Sequence, residues 1–320
     1  MKKLWVSQSL AVMAAVLAGC EGSAPGVGPM GSKCDDCQHS QYVVSSIQIP
    51  AQSQAMRMGC DLDGDGQVDN ALGRVLGGLP SVDPQFNFQQ AADDSFRNGV
   101  VVLLFDLGFI PDLQRSSAAE LTIYQGRHDP SDGLRAPDFY AGGGHFFVAG
   151  PGARLGGVVS AGWGDFDGAR YAAQLPMPMA QPASLDFVRG RAQGVISAST
   201  IEDGLLCGAI PVAELHDRVV PAVADMLSAA VKNGNTTLKG LFDADHSCDH
   251  DATCTAGNPN VCHCITAQEF ESTQFIHLLD PDLDLDPAVD NPFATGPEDP
   301  ARHNDALSFG FGFTARSARF

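Results

Sequence analysis

The sequence predicts an α+β protein: an antiparallel β-sandwich-like body, a helical segment towards the C-terminus, and a final strand that returns to the sheet. Three observations carry this expectation. The 320 residues include 35 glycines and 20 prolines, a turn-rich composition that suits strands better than a helical bundle. Strand-length apolar runs are separated by turn clusters and do not alternate with long helices, which favours antiparallel pairing. Near the C-terminus, Phe309, Phe311 and Phe313 recur at every second position, the pattern of a strand with one aromatic face.

At the N-terminus, Lys2 and Lys3 precede a short apolar run over residues 10–18, which ends in Leu17-Ala18-Gly19-Cys20. A run this short reads as an export signal and not as a membrane span. The ending resembles the lipobox of bacterial lipoproteins. That resemblance implies cleavage before Cys20 and acylation of its thiol and new amine, giving a firm membrane anchor. Glu21 in the next position implies passage to the outer membrane. Residues 20–41 are rich in Gly, Ser and Pro and read as a flexible tether. The expected organisation is a signal peptide at 1–19, the tether, a β-rich domain at 42–210 and a helical segment with the closing strand at 211–320.

Strands are expected at residues 42–49, 99–105, 120–124, 145–149 and 193–199. Turn clusters separate them, such as residues 127–133, and "WGDFDGARY" reads as a hairpin turn around Asp165, Asp167 and Gly168. Helix appears at 211–231, in two pieces broken near Pro221. Val219, Val223, Met226, Leu227 and Ala230 form one apolar stripe there, and Lys232 and Gly234 act as stop signals.

Export places the remaining cysteines in an oxidising compartment. Cys34, Cys37, Cys60, Cys207, Cys248, Cys254, Cys262 and Cys264 are even in number, which favours disulfides without fixing their connectivity. Zinc is the competing reading for the Cys262-His263-Cys264 region with His246 and His250, but the spacing lacks the paired Cys-x₂-Cys knuckles of structural zinc sites. Cys34 and Cys37 have no βαβ pattern around them, so a structural bridge fits better than redox work.

The stretch "CDLDGDGQVDNALG" poses the main chemical question. Asp61, Asp63, Asp65 and Asp69 fall at positions 1, 3, 5 and 9 of a loop whose position 6 is Gly66, the arrangement that folds oxygen ligands around a hard cation. It resembles the first half of an EF-hand loop, or the acidic loops of dockerin and thrombospondin type-3 repeats, and that resemblance implies calcium. Position 12 is Leu72 where an EF-hand carries glutamate. The alternative is a bare acidic turn. A second set appears when residues 248–263 are lifted out as an insertion. Asp243, Asp245 and Ser247 then hold positions 1, 3 and 5, Cys264 offers the position-7 carbonyl, Thr266 stands at 9 and Glu269 at 12. This also resembles an EF-hand, flanked by apolar helical faces; the alternative is an ordinary helix-loop-helix with a disulfide knot. A third run places Asp282, Asp284 and Asp286 two apart. Its sequel "NDALS" echoes "DNALG", which suggests a degenerate repeat.

The net charge of −19 argues against nucleic acid as a partner. Gly-x-Ser-x-Gly, His-Glu-x-x-His and Walker motifs are missing from the sequence, no Gly-x-Gly-x-x-Gly follows an expected strand, and His145 after three glycines is the one histidine whose setting suggests catalysis, against a structural role as the alternative. The layout resembles uncharacterised bacterial surface lipoproteins with EF-hand-like loops. The expectation is a calcium-binding envelope lipoprotein, held to the membrane through Cys20 and serving a structural role or binding a protein or glycan. The rival is a calcium-dependent extracellular hydrolase acting on an envelope or extracellular polymer, which a polar pocket with perturbed carboxylates would favour.

Overall fold

A computed structural model describes residues 38–110, 112–249, 264–286, 288–289, 291–294 and 302–320. Nine strands form one antiparallel sheet: β1 (Gln38–Gln48), β2 (Leu103–Ile110), β3 (Arg115–His128), β4 (Phe146–Val148), β5 (Ala153–Ser160), β6 (Trp163–Leu175), β7 (Ala183–Ile196), β8 (Thr200–Pro211) and β9 (Ala306–Ser317). β1, β2, β3, β5, β6, β7, β8 and β9 follow one another round a ring, and β9 pairs back onto β1. β4 is an extra short strand on the end of β3.

This corrects the sandwich expectation. A sandwich keeps edge strands, whereas here β2 bonds to both β1 and β3, and β9 to both β8 and β1, so the eight-stranded barrel closes and the edges disappear. The helices do not form a C-terminal segment either. They interrupt the meander in two connections at one end of the barrel, while at the opposite end β5 and β6, and β7 and β8, are joined by short described turns.

The β1–β2 connection carries α1 (Ala71–Val82) and α2 (Phe88–Arg97). Asn70 caps α1 by accepting from Gly73 N–H at 3.0 Å, and Leu72 and Leu76, four apart, face the core. Gly77 lets α1 approach the end of β1, because a Cβ there would lie 2.1 Å from the Pro50 carbonyl. In α2, Phe88, Ala92 and Phe96 form the buried stripe. The β8–β9 connection holds a helical turn α3 (Val212–Glu214), α4 (Val220–Lys232), α5 (Thr236–Phe242) and α6 (Ala267–Glu271). The helix does not break at Pro221. A wider π-type turn over Leu215–Val219 carries α3 into α4, leaving the proline, which has no N–H to donate, in the first turn.

Rings fill the barrel. Tyr171 stacks on Phe187 at 4.8 Å between centroids, Phe187 lies 6.2 Å from Phe309, and Phe105 meets Phe313 edge-on at 5.1 Å. Glycine makes room for them. A Cβ at Gly204 would sit 2.6 Å from the Phe313 ring, and one at Gly208 would sit 2.8 Å from Phe187. Outward positions on the uncovered side mix polar pairs with exposed apolar side chains: Arg191 and Gln193 donate to Asp165, Arg154 pairs with Glu120, and Val158, Trp163 and Val195 are exposed. Asp165 and Asp167 therefore lie within β6 and not in a hairpin turn; the turn is at Ala161 and Gly162.

Candidate metal centres

The first acidic loop leads into α1 and is fastened to the outer wall of the barrel. Cys60 forms a disulfide with Cys207 of β8, and both belong to a small apolar cluster with Leu62, Ala209, Leu283 and Ala306. Beside it, the buried Asn70 amide donates to the carbonyls of Ala55, Met58 and Gly310, and its oxygen accepts from Gly310 N–H. Within this frame Asp61, Asp63 and Asp65 bring one carboxylate oxygen each within 4.8 Å of one another. Gly64 and Gly66 adopt positive φ, +87° and +85°, which aims their N–H groups at the two Asp61 oxygens, at 2.7 and 3.0 Å. Asp63 accepts from Asp65 N–H, and both Asp65 oxygens accept from Gln67. Asp69 does not join the trio: it turns back to accept from Leu62 N–H at 3.0 Å. Burial raises its carboxyl, the Leu62 N–H opposes this, and the neighbouring charges of Asp63, Asp282 and Asp65 raise it further. Leu72, at position 12, is core.

The second loop follows α5. Asp243, Asp245 and Glu269 converge with one oxygen each within 4.8 Å of one another. Two oxygens on one calcium ion can be separated by at most about twice the 2.3–2.6 Å bond length, so this spread fits a single ion, and the all-oxygen donor set suits a hard one. Asp243 is only 4% exposed. Its Oδ1 accepts from Cys248 N–H at 3.3 Å, while its Oδ2 is buried with no hydrogen-bond partner. Glu269 spans the loop, accepting from Ala244 N–H through Oε1 and from Thr266 through Oε2. Hydrogen bonding from Ser247 lowers the Asp245 carboxyl.

The loop ends are locked by the Cys248–Cys264 disulfide, with the Ser247 hydroxyl donating to the Cys264 carbonyl at 2.6 Å. Ser247 and the Cys264 carbonyl, expected at positions 5 and 7, are thus adjacent and bonded to each other. Thr266 is not in the converging trio; it caps α6 in a reciprocal box with Glu269. The sequence reading missed that Asp249 lies with His246 and Asp243 as an alternative trio. Spacing gave no sign of this, because a left-handed turn at His246 folds the chain back.

The third run is not brought together. Asp282 accepts from Ser308 N–H and hydroxyl, Asp284 is exposed, and Asp286 accepts from Ala288 N–H in a local turn. Nor is the apparent repeat structural. Asn70-Ala71-Leu72 opens a helix while Ala306-Leu307 opens a strand, although the two segments touch through the Ala71 N–H and the Ser308 hydroxyl.

His145 has a structural setting. Its main-chain N–H donates to Asp132, which also pairs with the His128 ring, and His128 stacks on Phe139 at 4.2 Å. Burial pushes the Asp132 carboxyl up, but hydrogen bonds from His145, Leu134 and His128 outweigh it and hold it at about 2. Cys20, Cys34, Cys37, Cys254 and Cys262 lie outside the described residues, and no described helix is long and apolar enough to cross a membrane. The chain matches no protein-family model, and no curated protein or solved structure is similar to it at a significant level. There is no evidence of catalytic activity.

Proposed function

We propose that this chain is a calcium-binding lipoprotein of the bacterial cell envelope, exported, acylated at Cys20 and carried to the outer membrane. Its role is structural or ligand-binding, with a protein or glycan as the partner. The anchor and address rest on the Leu17-Ala18-Gly19-Cys20 ending and Glu21. The cation reading rests on one observation above all: a buried Asp243 oxygen with no partner, set against Asp245 and Glu269. A buried carboxylate oxygen is costly unless something neutralises it, and a divalent cation does so while drawing the other two oxygens inward. Calcium would then brace the second loop more firmly than the first, whose carboxylates already accept backbone N–H groups.

Isothermal titration of a soluble form starting at Gln38 with calcium chloride tests this. A saturable heat that disappears in Asp243→Ala and persists in Asp61→Ala is expected. Heat that is absent, or indifferent to Asp243→Ala, would refute the assignment.

A further inference from the structure

Among the described residues, the barrel offers little room for a ligand. An eight-stranded barrel either fills with side chains or encloses one small molecule, and here the gap bordered by Phe96, Ala173 and Phe311 measures about 10 Å³, room for no more than one water. The helical layer differs. Between α1, α4, α5 and α6 lies a cavity of about 290 Å³, lined by Leu76 and Leu79, Val223 and Leu227, Leu238, and Phe270. Protein interiors seldom leave a void larger than a water molecule, and an apolar one of this size offers water few hydrogen bonds. The volume approaches the range of small-molecule sites. Its mouth is apolar too: Val82 is 77% exposed, and Leu241 and Leu278 are also exposed.

The polar groups define the head of the occupant. Among the described residues of the lining, Asp83 is the one charged group, and none is Lys, Arg or His. One Asp83 oxygen accepts from Asn235 and the other from Gln85 N–H, while the Asn235 oxygen accepts from Leu238 N–H. A carboxylate or phosphate head would meet this aspartate with no cation to offset it, on a chain of net charge −19. We propose that the cavity is a binding site for a neutral aliphatic molecule, an alkyl chain with an uncharged head. The apolar walls take the chain, and the Asp83–Asn235 corner selects against anions.

Titrating the full chain with Nile red, an uncharged apolar dye, tests this. Saturable one-to-one fluorescence is expected, displaced by 1-decanol and not by decanoate at equal concentration. Val223→Trp, which fills the cavity, should weaken dye binding by at least about tenfold. Leu278→Asp, at the exposed mouth where folding is not at stake, should do the same with an unchanged melting temperature. Any of four results would overturn the proposal: no saturation, dye binding unaltered in a folded variant, displacement by decanoate as effective as by decanol, or self-association of the chain that shuts the dye out.

Discussion

The two acidic loops have nearly the same spacing of aspartates and opposite electrostatic situations. In the first, Asp61 and Asp65 spend their oxygens on N–H donors of their own loop, in solvent, with two glycines shaped for the purpose. In the second, Asp243 is buried and one of its oxygens faces no donor. The difference teaches that spacing nominates ligands but burial decides how much they need an ion. A solvated, self-satisfied loop survives without a cation; a buried, half-satisfied one gains most from it.

The clamps give the largest contrast. Cys60–Cys207 joins residues 147 apart in sequence and Cys248–Cys264 joins residues 16 apart. Replacing the first pair by alanine is expected to cost about 4–5 kcal/mol and the second about 3 kcal/mol, read by chemical denaturation. Next comes the ion itself. At a hundredfold excess over its dissociation constant, calcium should raise stability by about 2.7 kcal/mol, and thermal melts should lose most of that gain in Asp243→Ala and little in Asp61→Ala.

Chelator should then separate the loops by sign. Without calcium, Asp243→Asn should stabilise the protein by roughly 1 kcal/mol by removing a buried charge, whereas Asp61→Asn should cost about 0.5–1 kcal/mol through lost N–H bonds. Tyr171→Phe is the control: its hydroxyl is also buried without a partner, so the gain, about 1 kcal/mol, should appear with or without calcium. The smallest effect lies outside both loops. The Asp132 carboxyl is held at about 2 in the fold against an ordinary 3.8, so its contribution is complete above pH 4 and is lost as pH falls from there through 2. Melting curves of Asp132→Asn should be flatter than those of the parent across that window.

The sequence made some of this visible. Residues 42–49 and the alternating phenylalanines near the C-terminus stood out because their inward positions are large and apolar, and β1 and β9 lie there. β5, β6 and β8 did not, because many of their positions are glycine: Gly164 and Gly208 leave space for Phe166 and for Phe187 with Tyr171, so the apolar signal sits on the neighbour. α1 was hidden in the same way by Gly73, Gly77, Gly78 and Pro80, since its stability comes from docking on β9 and not from propensity. Closure into a barrel was out of reach, because strand patterns look alike in a sandwich and a ring. Ligand spacing in the second loop was legible once the insertion was set aside. The buried Asp243 oxygen was not, since burial depends on tertiary packing that the spacing of ligands does not encode.

The seam between β1 and β9 joins the beginning of the described chain to its end. Seven strands can line up as they are made, but the cylinder cannot latch until residues 306–317 arrive, and until then the inner faces of β1 and β8 stay open to whatever is nearby. A ribosome that stalls, or a protease that trims a dozen residues from the tail, would leave no slightly shortened barrel, only a curled sheet with two sticky borders.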